Sequence, residues 1–189
     1  VSNTLFFLQG NDHEQMVRWG CAQIPWMAYN DTIKAVAIGN TQPDGSVEHL
    51  AVCMFHGYFA PTQVDFKDGH GPRSAGGVCE ISFAAVSPRW ATRGMISSLL
   101  HIPFVQYKCR KVVTVIPSSN TRAIEFNKGI GLKWEASLRH HFARGVHAQV
   151  HGMMRSEWEA RWKDPRNARI RTPARTRANG QKHLVASPA

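Results

Sequence analysis

The chain has 189 residues, 43% of them hydrophobic, and a formal net charge of +10. That length allows one domain, with or without an appended segment, and a core able to stand without cross-links. No apolar run approaches the roughly 18 residues of a membrane-spanning helix, and the four scattered cysteines (Cys21, Cys53, Cys79, Cys109) form no CxxC pair of a zinc knuckle or disulfide framework.

The opening stretch "VSNTLFFLQGND" has no basic region and too short an apolar run for a signal peptide. Reduced cysteines and a cytoplasmic location are therefore expected. The charge is unevenly placed. Residues 163–189 hold seven basic side chains against one acid, and so carry +6 of the +10. This segment has few large apolar residues, and its composition predicts disorder in isolation. A basic arm of this kind seeks nucleic acid or an acidic surface, or serves as a solvated solubility tail. The chain thus divides into a folded part, 1–162, and a basic C-terminal tail, 163–189.

In chain order, "TLFFLQ" (residues 4–9) reads as a first strand. Asp12 with Gln15 resembles a capping box, and Met16, Val17, Gly20, Cys21 and Ile24 follow at helical spacing until Pro25 closes the helix. Residues 33–40 and 47–59 are strands joined by the turn "TQPDGS", hence a hairpin. Residues 62–77, rich in glycine and charge, read as a loop, mobile or substrate-facing.

Residues 78–86, "VCEISFAAV", form the clearest strand. Cys79, Ile81, Phe83 and Ala85 share one face; Val78, Glu80, Ser82, Ala84 and Val86 share the other. A polar-basic loop leads to a helix with Met95, Ile96, Leu99, Leu100 and Ile102 at helical spacing, which Pro103 kinks or ends. "KVVTVI" (111–116) is the continuous apolar run of a buried parallel strand. "SSNTRAIEFNKGIG" is a helix capped by Ser or Asn and ended by Gly129 or Gly131. "LKWEASLRHHF" alternates, with Leu132, Trp134, Ala136 and Leu138 one way; "VHAQVHGMM" returns, and "SEWEARW" is a last helix. His147 and His151 fall on one face of the returning strand, as solvated or substrate-side groups, with no carboxylate or cysteine spaced to complete a metal site.

This order, with "SPRWATRGMISSLL" and "NTRAIEFNKGIGLKWEASLR", resembles the GNAT acetyltransferase superfamily over roughly residues 4–160. It looks most similar to the branch that acetylates ribosomal-protein N-termini and small amines, and the tryptophan-bearing loop looks like GNAT proteins of bacteriophages. The resemblance implies an α/β GNAT fold: a mixed central sheet of about seven strands, helices on both faces, and a V-shaped split between two central parallel strands, 78–86 and 111–116. It implies acetyl-CoA as cosubstrate and a primary amine as acceptor, whether a small molecule, a protein N-terminus or lysine, or an amine linked to nucleic acid. No membrane partner is expected, and the assembly is a monomer or homodimer.

The family's phosphate loop, Arg/Gln-x-x-Gly-x-Gly/Ala, falls here on Ala91, Thr92, Arg93, Gly94, Met95 and Ile96 when counted from Val86 and Pro88. Gly94 matches the family glycine; Ala91 and Ile96 depart from the pattern. Backbone N–H groups at a helix start hold pyrophosphate without needing a particular side chain. A second register starts at Arg89. By resemblance, backbone at Ala84, Ala85 and Val86 pairs with the pantetheine arm, and a backbone N–H polarises the thioester carbonyl. Glu80 is the family-like base that deprotonates the amine, directly or through water; the structural alternative is an ion pair with an Arg. Asn120 matches the asparagine that touches the cofactor or an ordered water, and also reads as an N-cap. Phe126 borders the cofactor. The family's tyrosine acid corresponds to Asn127, so no tyrosine stands there; a thiol pKa near 8.5 lets the thiolate leave unaided. Trp90 either stacks on adenine or wedges the loop against the sheet. The alternative is an inactive GNAT-fold protein that binds nucleic acid or a protein partner through 163–189.

Overall fold

Residues 3–163 are described by the computed structural model. Their elements run β1 (Thr4–Phe6), α1 (Gly10–Ala22), β2 (Lys34–Thr41), β3 (Val47–Phe59), β4 (Thr62–Asp65), β5 (Pro72–Ala75), β6 (Val78–Ala85), α2 (Arg93–His101), β7 (Lys111–Pro117), α3 (Thr121–Ile130), β8 (Lys133–Ala143), β9 (Val146–Met154) and α4 (Arg155–Trp162). Seven strands form one sheet in the order β1-β2-β3-β6-β7-β9-β8. Its neighbours are antiparallel except β6 and β7, which run parallel as a strand–helix–strand crossover requires. Apart from Lys163, the basic segment lies outside the described residues.

The alternation read in residues 78–86 divides the core. Cys79 and Ile81 join Val36, Cys53, Val112 and Met153 beneath α2 and α4. Ala84 joins Ala35, Ala37, Val52 and Met54 beneath α1. Fully burying a side chain such as Leu100 or Phe104 contributes about 1.5–3 kcal/mol. α1 lies close to the sheet because Gly20 has no side chain: a Cβ there would stand 2.8 Å from Met54 Sδ and Val52 Cγ1.

Local chemistry sets the ends. Asn120 accepts the Ala123 N–H at 3.1 Å and caps α3. Gly131, at φ 101°, ends it, returning its N–H to Asn127 O and Lys128 O. α1 departs from the expected capping box: it starts at Gly10 after Gln9, so Asp12 sits inside the first turn, against the positive helix end. Residues 62–77 are not an open loop: β4 and β5 pair as a hairpin from Thr62↔Ala75 to Asp65↔Pro72.

Pro103 kinks and does not end its helix. α2 passes directly into a π turn, Ile102–Gln106, closed by Tyr107 N–H on Ile102 O at 3.0 Å. The Arg155 guanidinium donates to the Phe104 carbonyl and to the Cys109 carbonyl (2.7 Å), satisfying oxygens the turn leaves free. The alternation expected of β8 is broken: Trp134 pairs with His151 but Ala136 with Val150, so a bulge puts them on opposite faces. His151 is buried and neither ring nitrogen has a partner among the described residues. Burial pushes its pKa down. All four cysteines are buried and unbridged.

Candidate active site

β6 and β7 keep register at Val78↔Lys111, Cys79↔Val112 and Glu80↔Val113, and then part. Backbone direction decides what the gap offers. Along a strand, successive residues turn their N–H and C=O to opposite neighbours. Val86 N–H donates to Leu50 O, while Gly77 O accepts from Arg110 N and Lys111 N. The even-numbered residues of β6 therefore bond to β3, and Ile81, Phe83 and Ala85 turn their amides toward the split. This refines the expectation for Ala84, Ala85 and Val86. Of the three, Ala85 faces its backbone into the gap, whereas Ala84 and Val86 face β3.

The split opens into a cleft of about 440 Å³. β6 contributes Ile81, Ser82, Phe83 and Ala85; β7 contributes Thr114, Val115 and Ile116; α3 contributes Asn120, Ala123, Phe126 and Asn127. Val86 and Ala91 line it as well, and Ile24 and Trp26 approach from the end of α1. Glu80, Ala84, Thr92, Arg93, Gly94, Met95 and Ile96 do not. Ala84 is buried under α1, and Met95 and Ile96 turn into the core.

The loop before α2 explains this. Pro88–Trp90 is a single 3₁₀ turn started by Ser87. It drives Trp90 inward, where it stacks on Phe83 (centroids 5.0 Å) and leans on Phe126 (5.4 Å). Trp90 thus wedges the loop against the sheet. Thr92 caps α2, its Oγ1 accepting the Met95 N–H at 3.3 Å and its carbonyl the Ile96 N–H at 3.0 Å. The amides of Arg93 and Gly94 have no partner among the described residues, and a Cβ on Gly94 would meet open space. Arg93 itself reaches away, over the Trp162 ring at 4.7 Å and to the Arg161 carbonyl at 3.2 Å. Arg89 pairs with Glu48.

On the α1 face, at the point where the strands part, β3 and β6 bring three polar groups together. Register sets His56 opposite Glu80 and Met54 opposite Ser82. His56 Nε2 lies 2.9 Å from Ser82 Oγ, and its Nδ1 lies 3.9 Å from Glu80 Oε2. Glu80 pairs with no arginine among the described residues. Partial burial raises the Glu80 carboxyl and lowers the His56 imidazole from their ordinary values. A neutral imidazole beside a carboxylate of raised basicity is a proton-accepting arrangement. On the opposite face, Asn127 is buried and donates Nδ2 to Thr114 Oγ1 at 2.5 Å.

Sequence reasoning did not single out His56, Ser82 or Thr114 as site residues. No spacing within β3 marks His56, which is placed by cross-strand register. The neighbouring Gly57, at φ 55° and followed by a register shift, was the available signal of an irregular strand.

A mixed sheet whose two parallel strands diverge, with a helix starting at each rim of the gap, is the GNAT acetyltransferase fold. No protein-family model matches the chain, and no curated protein matches it in sequence. Solved structures do match. A chimera of the Vibrio cholerae spermidine N-acetyltransferase SpeG with hSSAT is 11% identical over 82% of this chain and 98% of that one, with a TM-score of 0.58. Glutamate-to-glutamine mutant forms of the Vibrio cholerae spermidine/spermine N-acetyltransferase SpeG match at 10% identity over 85% and 99%, TM-score 0.58. SpeG with manganese ions matches at 11% over 84% and 96%, TM-score 0.53. At such identity the likeness is one of fold.

Proposed function

We propose that the protein is an acetyl-CoA-dependent N-acetyltransferase that carries an acetyl group to a primary amine by direct attack. The observation that carries this reading is the split beyond Glu80 and Val113. It has room for a narrow acyl-pantetheine arm, and the Ile81, Phe83 and Ala85 amides offer bonds to such an arm. The open Arg93 and Gly94 amides, at a helix N-terminus, suit a pyrophosphate.

The roles follow from position. Glu80 removes the ammonium proton, with His56 beside it as a second acceptor. An amide in the split polarises the thioester carbonyl, and Asn120, a cap on the rim, touches the cosubstrate. The thiolate leaves without a dedicated acid. The solved neighbours are named for spermidine and spermine. Here the charged side chain lining the cleft is Arg122, which gives a polycation no attraction. A monoamine is the better-matched acceptor.

One observation favours a second reading, that of a GNAT-fold binding protein. Trp90 packs beside Phe83 and Phe126 at the cleft, where cosubstrate would approach. Binding to nucleic acid through residues 163–189 belongs to this reading. Of these, Lys163 is described, and its ammonium rests on Glu159 at 3.3 Å. Calorimetric titration with acetyl-CoA separates the two. Micromolar binding that Gly94→Trp abolishes supports the enzyme; no binding at millimolar acetyl-CoA overturns it.

A further inference from the structure

Direct attack by an amine uses Glu80 and leaves Ser82 without a task. Yet Ser82 lines the cleft, and its Oγ sits 2.9 Å from an imidazole nitrogen whose ring partner lies 3.9 Å from a carboxylate. A hydroxyl is weak as a nucleophile until a base stands within hydrogen-bond reach and a third group orients that base. Here all three stand on one face of two paired strands, so register alone fixes their order. Phe83, the next residue, turns its N–H into the split, as does Ile81. Residues two apart on a strand stand about 6.5–7 Å apart, so one of these amides, that of Phe83 beside Ser82, is the donor for an oxyanion on a carbonyl attacked by Ser82.

We propose that Ser82 is an acyl-accepting nucleophile and that, with no amine bound, the protein hydrolyses acyl thioesters and activated esters through an acetyl-Ser82 intermediate. Ser82 Oγ bonds to the thioester carbonyl carbon, and its proton passes to His56 Nε2. The oxyanion faces the Phe83 amide. As the carbonyl re-forms, the C–S bond breaks, and the departing sulfur takes the proton from His56 as a thiol. Water then attacks the acetyl ester and gives a proton to His56. The C–Oγ bond breaks, Ser82 recovers that proton, and acetate departs, its own proton released to solvent. The balance is acyl thioester plus water to thiol plus carboxylic acid, with no other reactant. Glu80, 3.9 Å from Nδ1 and beyond hydrogen-bond distance, acts on the imidazole through its charge, as a positioning residue that closes on the ring when the imidazolium forms.

For acyl-CoA this rests on the reading that the thioester enters the split. p-Nitrophenyl acetate needs no coenzyme site and tests Ser82 by itself. The full chain is treated with each ester in the absence of amine, quenched in acid, and mapped by peptide mass spectrometry, with nitrophenol release followed in parallel. The expected result is a burst of nitrophenol and an acetyl adduct on Ser82. The adduct is lost in Ser82→Ala and formed on the order of 10²-fold more slowly in His56→Gln. Ser82→Cys guards against a folding artefact, because it should carry the adduct as a hydroxylamine-labile thioester. An adduct from p-nitrophenyl acetate alone sustains Ser82 as nucleophile and counts against the coenzyme site. Absence of an adduct with both esters, or equal labelling of Ser82→Ala, overturns the proposal.

Discussion

Trp90 is stacked on Phe83, their planes 23° apart, and Phe126 packs edge-on against Phe83 while touching the indole, so the three rings form one cluster. This aromatic group joins the loop before α2 to both walls of the split. Removing the indole leaves a cavity against Phe83 of β6 and Phe126 of α3. Trp90→Ala should lower stability by about 3–5 kcal/mol in urea unfolding. If the indole also restricts the groove, calorimetry should show the folded variant binding acetyl-CoA more tightly than the wild type.

Asn127 and Thr114 form a buried pair in which each partner satisfies the other. Asn127→Leu leaves the Thr114 hydroxyl without its donor and should cost about 1–3 kcal/mol. Thr114→Val should also cost stability, but Asn127→Leu combined with Thr114→Val should cost less than the two singles together. A double-mutant cycle measured by denaturant unfolding checks this.

Gly20 allows α1 to approach Met54 and Val52 within a distance that a side chain forbids. Gly20→Ala improves helix propensity, yet it should destabilise by about 1–3 kcal/mol through overpacking. A lowered thermal midpoint confirms the close approach; a raised one refutes it.

Glu80 and His56 give opposite pH dependences of stability. Glu80 has a folded pKa above its ordinary 4.5, so the unfolded chain loses that proton first. Stability therefore falls as pH rises from 4.5 through the raised value, and stays lower above it. Glu80→Gln should be more stable than wild type at pH 7 and equal to it below pH 4. His56 has a folded pKa below 6.5, so the unfolded chain gains that proton first. Stability is lost as pH falls below 6.5, and His56→Gln should remove that loss. Thermal midpoints from pH 3 to 8 for both variants test the two signs. Acetyl transfer should decline on the acid side as Glu80 protonates.

Local chemistry made much of the fold legible. The run "VEHLAVCMFHGYF" coincides with β3 from Val47 to Phe59, because its apolar residues are bounded by a turn at each end. Gly131 and Asn120 could be read as helix ends because their side-chain chemistry allows little else there. The hairpin in residues 62–77 was hidden, since "TQVD" and "PRSA" are short and polar and pair only with each other. The site was legible where it depends on strand order and not where it depends on register. Glu80 could be placed on the face with Ser82, but its neighbour His56 lies 24 residues earlier and is brought there by the β3–β6 pairing. The loop was legible in part: Trp90 was expected either to stack on adenine or to wedge the loop against the sheet, and it packs inward on Phe83, a contact that position counting from Val86 does not itself supply.

The divergence of β6 from β7 also changes what the sheet separates. The His56 and Glu80 side chains approach the gap from the α1 side, and the Asn127–Thr114 pair and the start of α2 lie on the other. The two faces of the sheet thus present different side chains to one slit. On the proposed reading, residues on one side can change toward a new amine while those on the other continue to meet the acyl donor.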